Sequence, residues 1–147
     1  MGYTDTYMDI SNELKEELVM EAKKALAVCY PADSAYSYSA AVLTDSGKIY
    51  NAANYASFTH SLTLHGEQCA LVHAASHGEG IIHAIAVTSN EDLKLGKFTA
   101  PCHMCKQLLW ESRLRSGVPM LIILANAHGE TKEVYIDDLM PMPWPAK

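Results

Sequence analysis

Four side chains in this sequence have the types and order to hold and use a metal ion. Cys102 and Cys105 form a Cys-x-x-Cys pair directly after Pro101. Where a helix begins at such a pair, free backbone N–H groups and the positive end of the helix dipole favour the thiolates that metals bind. His65, at the start of an earlier predicted helix, is a third candidate, because adjacent helix starts can converge at one end of a sheet. One His and two Cys leave the fourth tetrahedral position of zinc open for water, as catalytic rather than structural sites do. Glu67, two residues on, can sit over that position and move protons without binding metal. Two other readings use the same residues. A thioredoxin-like redox pair belongs after the first strand of a βαβ unit, whereas Cys102 follows several elements. A closed structural zinc site would take Cys69 as its fourth ligand and leave Glu67 without a task. Cys29 and Cys69 otherwise read as buried thiols.

The elements that must position these residues follow from periodicity. Ile10, Leu14, Leu18, Ala22, Ala25 and Cys29 recur three and four apart, with Glu and Lys between them, and predict an amphipathic helix over residues 9–29 that starts at Asp9 or Ser11. Residues 36–44 and 48–54 read as strands joined by a tight Asp45-Ser46-Gly47 turn. A helix over 65–77 and a buried strand over 82–88 follow. Residues 101–116 form a further helix, with Pro101 at its first position and Gly117 as its stop. The apolar strand 120–126 connects through His128-Gly129-Glu130 to a strand over 131–136, a link short enough to require antiparallel pairing. The order predicts an α/β sandwich around a mixed sheet, folded as a single domain over residues 1–147.

Composition narrows the function classes. The chain has 147 residues, 11 basic against 17 acidic for a net charge of −6, and 49% apolar residues. That is the composition of one small globular domain. Its longest apolar run, residues 120–125, is far short of the roughly 20 that cross a bilayer. The polar opening residues have no signal-peptide core, which predicts a cytoplasmic protein. Gly2 and Thr6 fit a loose acylation pattern that chance readily produces. An acidic chain without a Lys/Arg cluster is a poor partner for long nucleic acids.

His-x-Glu followed by Pro-Cys-x-x-Cys is the signature of zinc deaminases. Over roughly residues 10–145 the sequence resembles the cytidine deaminase superfamily, and within it the small deaminases of free nucleosides. Members typically read Tyr-Ser-x-Phe-x-Val-Gly-Ala-Ala at the first strand, and residues 33–41 align with this motif without gaps. Gly47-Lys48-Ile49-Tyr50 through Asn54, Lys106-Gln107-Leu108 and the tail Asp138-Leu139-Met140-Pro141 with Trp144 continue the likeness. The resemblance implies a three-layer α/β/α sandwich around a five-stranded mixed sheet. It implies zinc on His65, Cys102 and Cys105, with Glu67 moving protons. It also implies that a backbone N–H of Gly66 or Glu67 binds the pyrimidine carbonyl and that the Ala100 carbonyl accepts from the departing amino group. Tyr36 and Trp144 match aromatics around base and sugar, and Asn54 matches a ribose contact. Trp144 corresponds to an aromatic that enters a neighbouring subunit's pocket, which implies a homo-oligomer, a tetramer or else a dimer. The implied reaction, a step of pyrimidine salvage, turns a cytosine nucleoside into its uracil form and releases ammonia. A nucleoside antibiotic or free base as substrate, a purine or tRNA deaminase, and a non-catalytic zinc module are the alternatives.

Three departures from the pattern carry information. Small members usually have Cys at position 65 and Arg at position 68, where this chain has His65 and Gln68. Three thiolates leave zinc with a charge of −1 that Arg offsets, whereas His with two thiolates is neutral and needs no cation. The ribose-binding Glu two residues after the Asn is Ala56 here. A hydrogen bond to a charged group contributes roughly 1.5–3 kcal/mol, so its loss weakens ribose binding about 10- to 150-fold unless another group substitutes. Gly66 stands where members usually have Ala, which predicts room for a bulkier pyrimidine.

Overall fold

A computed structural model describes residues 7–147. The acylation pattern and most of the polar opening segment lie outside the described residues. The element order is α1 (Asn12–Ala25), β1 (Tyr38–Thr44), β2 (Ile49–Ala53), α2 (Gly66–Ser76), β3 (Ile82–Ser89), α3 (His103–Ser116), β4 (Leu121–Ala125), β5 (Thr131–Tyr135) and α4 (Ile136–Leu139). Ser11 caps α1 by accepting from the Leu14 N–H. The helix is shorter than periodicity predicts, because a single 3-10 turn over Leu26–Val28 takes up its end. Cys29 therefore lies beyond α1, buried all the same, with its sulfur 2.9 Å from the Ser37 hydroxyl.

The sheet runs β2-β1-β3-β4-β5. Its one parallel pair is β3 with β4, joined through α3, and the other neighbours are antiparallel, including the predicted β4–β5 hairpin. Strand side chains alternate between two cores. Ala41, Leu43, Ala84 and Ala86 face α1, and the three small alanines let Leu18 and Ala22 approach the sheet closely. Ala40, Val42, Ile122 and Leu124 face the other way, against Ala70 and Ala74 of α2 and Leu109 and Trp110 of α3. The expected three layers around five strands are present.

α3 ends as expected, with Gly117 in the left-handed conformation at φ 69° that glycine adopts without a Cβ penalty. Its start differs by two residues. Cys102 is the N-cap, and Pro101 precedes it rather than opening the helix. The Cys102 sulfur accepts from the Cys105 N–H, so the metal-type residue is itself the cap. At the other end of the chain, the C-terminal segment lies against α3. Gln107 donates to the Trp144 carbonyl and buried Trp110 donates through Nε1 to the Pro145 carbonyl, both at 2.8 Å. Arg113, also buried, pairs with Asp137 of α4 at 3.2 Å. Trp110→Phe is expected to destabilise the protein by about 1–2 kcal/mol, since it leaves the Pro145 carbonyl without its donor, and to free the tail for limited proteolysis. Thermal unfolding and cleavage near residue 145 measure the two effects.

Candidate active site

The site forms at the end of the sheet where β1 begins and β3 finishes. Tyr38 pairs with Ser89 there, and the first turns of α2 and α3 meet at the same end. His65 caps α2 from just outside it, and its backbone N–H donates to the Gln68 side chain at 2.8 Å. Gln68 thus takes a helix-capping role at the position where small family members carry Arg. His65 Nδ1 lies 3.3 Å from the sulfurs of both Cys102 and Cys105. All three donor atoms fall within 4.8 Å of one another. A tetrahedral zinc with ordinary Zn–S and Zn–N lengths has an N···S edge of roughly 3.5 Å, so the three residues fit the ion.

Burial pushes the Cys105 thiol well up, and the Glu67 carboxylate beside it adds to the rise. A bound cation reverses that balance, because a coordinating thiol loses its proton outright. Glu67 is 6% exposed, and the Cys105 sulfur lies 3.6 Å from its Oε2. Burial raises the Glu67 carboxyl above the usual range, partly countered by its backbone hydrogen bond, Cys105 and His65. A carboxyl shifted that way takes up and returns a proton closer to neutral pH than an ordinary one. Cys69 is half-buried and is not among the converging donors.

A cavity of about 600 Å³ opens over these groups. His65, Glu67 and Cys102 line it, as do the predicted Tyr36, Asn54 and Ala100. Asn54 is 6% exposed, and its side-chain oxygen accepts from the Tyr38 N–H at 2.9 Å. Tyr36 lies just before β1 rather than within it, and is exposed. Trp144 does not line this cavity and is 77% exposed.

The expectation for Gly66 is overturned. A Cβ there would meet the Ser39 Cα at 2.7 Å and the Tyr38 carbonyl at 2.9 Å. The missing methyl makes room for the β1 backbone, not for a larger pyrimidine. The sequence reading also missed Tyr38, Glu91 and Thr99 on the cavity wall. The available signal was position, since ligands gather beyond the carboxyl ends of strands and Glu91 follows β3 by two residues.

Residues 12–121 match the family described as the cytidine and deoxycytidylate deaminase zinc-binding region, and the chain belongs to it. It is 30% identical to a cytidine deaminase of Sporosarcina psychrophila over 126 residues, 86% of this chain and 88% of that protein. The crystal structure of cytidine deaminase from Burkholderia pseudomallei superposes with a TM-score of 0.76 at 27% identity, covering 88% of this chain and 98% of the other. That of Mycobacterium tuberculosis gives 0.72 at 25% identity, covering 90% and 98%.

Two measurements test the site. Gly66→Ala is expected to cost about 1–3 kcal/mol by forcing α2 off β1. Because Gly66 lies between His65 and Glu67, the same change is expected to weaken zinc binding about 10- to 100-fold in competition with a chromophoric chelator. The Tyr38 phenol is pushed from its ordinary 10.0 up to about 12, by burial first and then by its bond to Glu91 and that carboxylate's charge. Since the folded value lies above the unfolded one, the stability Tyr38 contributes is complete below pH 10 and is lost as pH rises through about 12. Ultraviolet titration is expected to show a late tyrosine that moves earlier in Glu91→Gln.

Proposed function

We propose that this chain is a zinc-dependent hydrolytic deaminase of a cytosine nucleoside, yielding the uracil form and ammonia. The observation that carries the reading is the convergence of His65, Cys102 and Cys105 beside buried Glu67 at the floor of an open cavity. Held by those three residues, zinc would supply an activated water at neutral pH. The Glu67 carboxylate takes that water's proton and delivers it to ring N3, which makes C4 electrophilic. The water oxygen bonds to C4, and the Glu67 carboxylate, free again, takes the remaining proton from that new hydroxyl and passes it to the amino group, so that the C4–N bond breaks, ammonia leaves and the C4 carbonyl forms. A backbone N–H of Gly66 or Glu67 holds the pyrimidine carbonyl oxygen, the Ala100 carbonyl orients the leaving amine, and Tyr36 and Asn54 flank base and sugar.

A nucleoside is favoured over a nucleotide because, among the described residues, no Lys or Arg lines the cavity, while two carboxylates do. A phosphate placed there meets like charge without compensation. Exposed Trp144 supports its use in the pocket of another copy, and with it a homotetramer or else a dimer. The reading is of one deaminase module acting in pyrimidine salvage in the cytoplasm; no described helix is long and apolar enough to cross a membrane.

Ammonia release from cytosine, cytidine, deoxycytidine, N4-substituted cytidines and blasticidin-type antibiotics identifies the substrate. Glu67→Gln is expected to keep its zinc by elemental analysis and to lose at least about 100-fold in kcat. Near wild-type turnover by that variant would overturn the role given to Glu67.

A further inference from the structure

The cavity contains a second carboxylate that the deamination chemistry does not use. Glu91 lies two residues beyond the end of β3, half-buried on the cavity wall. It is held in place from three directions. Its Oε1 accepts from the Tyr38 hydroxyl at 2.6 Å, its Oε2 from the Thr99 hydroxyl at 3.1 Å, and its own N–H donates to the Ser89 hydroxyl at 3.3 Å. Ser89 and Thr99 are themselves 2.6 Å apart, hydroxyl to hydroxyl. No Lys or Arg among the described residues pairs with it. A carboxylate offers about four acceptor positions and no donor when ionised, so Glu91 keeps acceptor capacity beyond these two bonds.

The same framework reaches Asn54. The Tyr38 N–H donates to the Asn54 side-chain oxygen, and the Tyr38 hydroxyl donates to Glu91. One tyrosine therefore fixes an amide and a carboxylate on the wall of one cavity. The Asn54 side-chain oxygen is taken by Tyr38, which leaves its amide N–H₂ as a donor on the wall that also carries the Glu91 acceptor. A hydroxyl, which both donates and accepts, suits either group. At position 56, where the resemblance places the sugar-binding Glu, this chain has Ala.

We infer that Glu91, approaching from the β3 side, is the carboxylate that binds the non-base end of the substrate in place of the missing group at position 56, and that it selects hydroxyl- or ammonium-bearing cytosine compounds against phosphorylated ones. The inference rests on the deaminase reading for the identity of the base. Tyr38 and Thr99 position Glu91 and do not themselves supply the selectivity. The energetic logic is that of an acceptor fixed before the ligand arrives. Its ordering is complete in the free protein, so the bond to the ligand is not offset by freezing a side chain.

The test is binding without turnover. Zinc-loaded Glu67→Gln protein is titrated calorimetrically with 3′-amino-3′-deoxycytidine, 5′-amino-5′-deoxycytidine, cytidine and cytidine 5′-monophosphate, with and without Glu91→Gln. At least one amine is expected to bind more tightly than cytidine, and cytidine more tightly than the monophosphate. Glu91→Gln is expected to weaken that amine about 10- to 150-fold while leaving the monophosphate unchanged or tighter. A purely structural role would weaken all four ligands together and leave their order intact, and that result overturns the inference. So does an amine that binds no better than the monophosphate before Glu91 is changed. If Glu91→Gln does not fold, Glu91→Asp replaces it: retention of the charge preference with weaker amine binding supports the inference, and an unchanged amine affinity sinks it. Absence of ammonia release by the wild type from every cytosine compound would defeat the deaminase reading instead, and would not alter the titrations.

Discussion

The site depends on how closely α2 sits against the start of β1. Two helix N-termini must reach one point from different parts of the chain, and the donors they carry tolerate little error: His65 Nδ1 is 3.3 Å from each sulfur, close to the edge of a tetrahedral zinc site. Gly66 sets the first of those approaches through bare contact with the Ser39 backbone. Cys102 sets the second by capping α3 with its own sulfur, so the helix start and the ligand position are a single geometric event. Behind both, the alanine-rich strand faces allow the helices to pack near the sheet, and the core holds them in register.

Electrostatics follow from that packing. Burial at the end of the sheet disfavours the charged forms of both Glu67 and Cys105; Glu67 pushes the Cys105 thiol further up, while Cys105 and His65 partly offset the rise of Glu67. A metal ion held there would favour the thiolates and balance the buried carboxylate, and the helix N-termini add favourable potential for the thiolates. The same burial that makes Glu67 costly to ionise suits it to carry a proton between water and a ring nitrogen.

Much of this was legible in the sequence. The order of elements as far as β5, the antiparallel hairpins and the stop at Gly117 followed from period and turn chemistry, because those signals are local, whereas the short α4, which takes Ile136 from the expected last strand, was not foreseen. The convergence of His65, Cys102 and Cys105 was legible because ligand-type spacing and helix starts leave a short motif. What was not legible lies in contacts between distant segments. Gly66 read as a widened pocket until the β1 backbone was found beside it, because a glycine's neighbours across a layer are not written next to it in the chain. Pro101 and Cys102 were misplaced by a residue or two, since a sulfur cap competes with the usual preference for Pro at the first helical turn. Tyr38 and Glu91 meet only because β1 pairs antiparallel with β3, a register that no local pattern encodes.

The seating of the C-terminal segment on α3 has an optical consequence. The chain has two tryptophans, Trp110 and Trp144, and both belong to this junction, one buried under the tail and the other on the tail itself, exposed. Cys105 lies on the same helix, five residues before Trp110. Intrinsic tryptophan emission therefore samples the α3–tail junction and is nearly blind to α1 and the hairpins. The protein carries a built-in local fluorophore for the half of the molecule that bears Cys102 and Cys105.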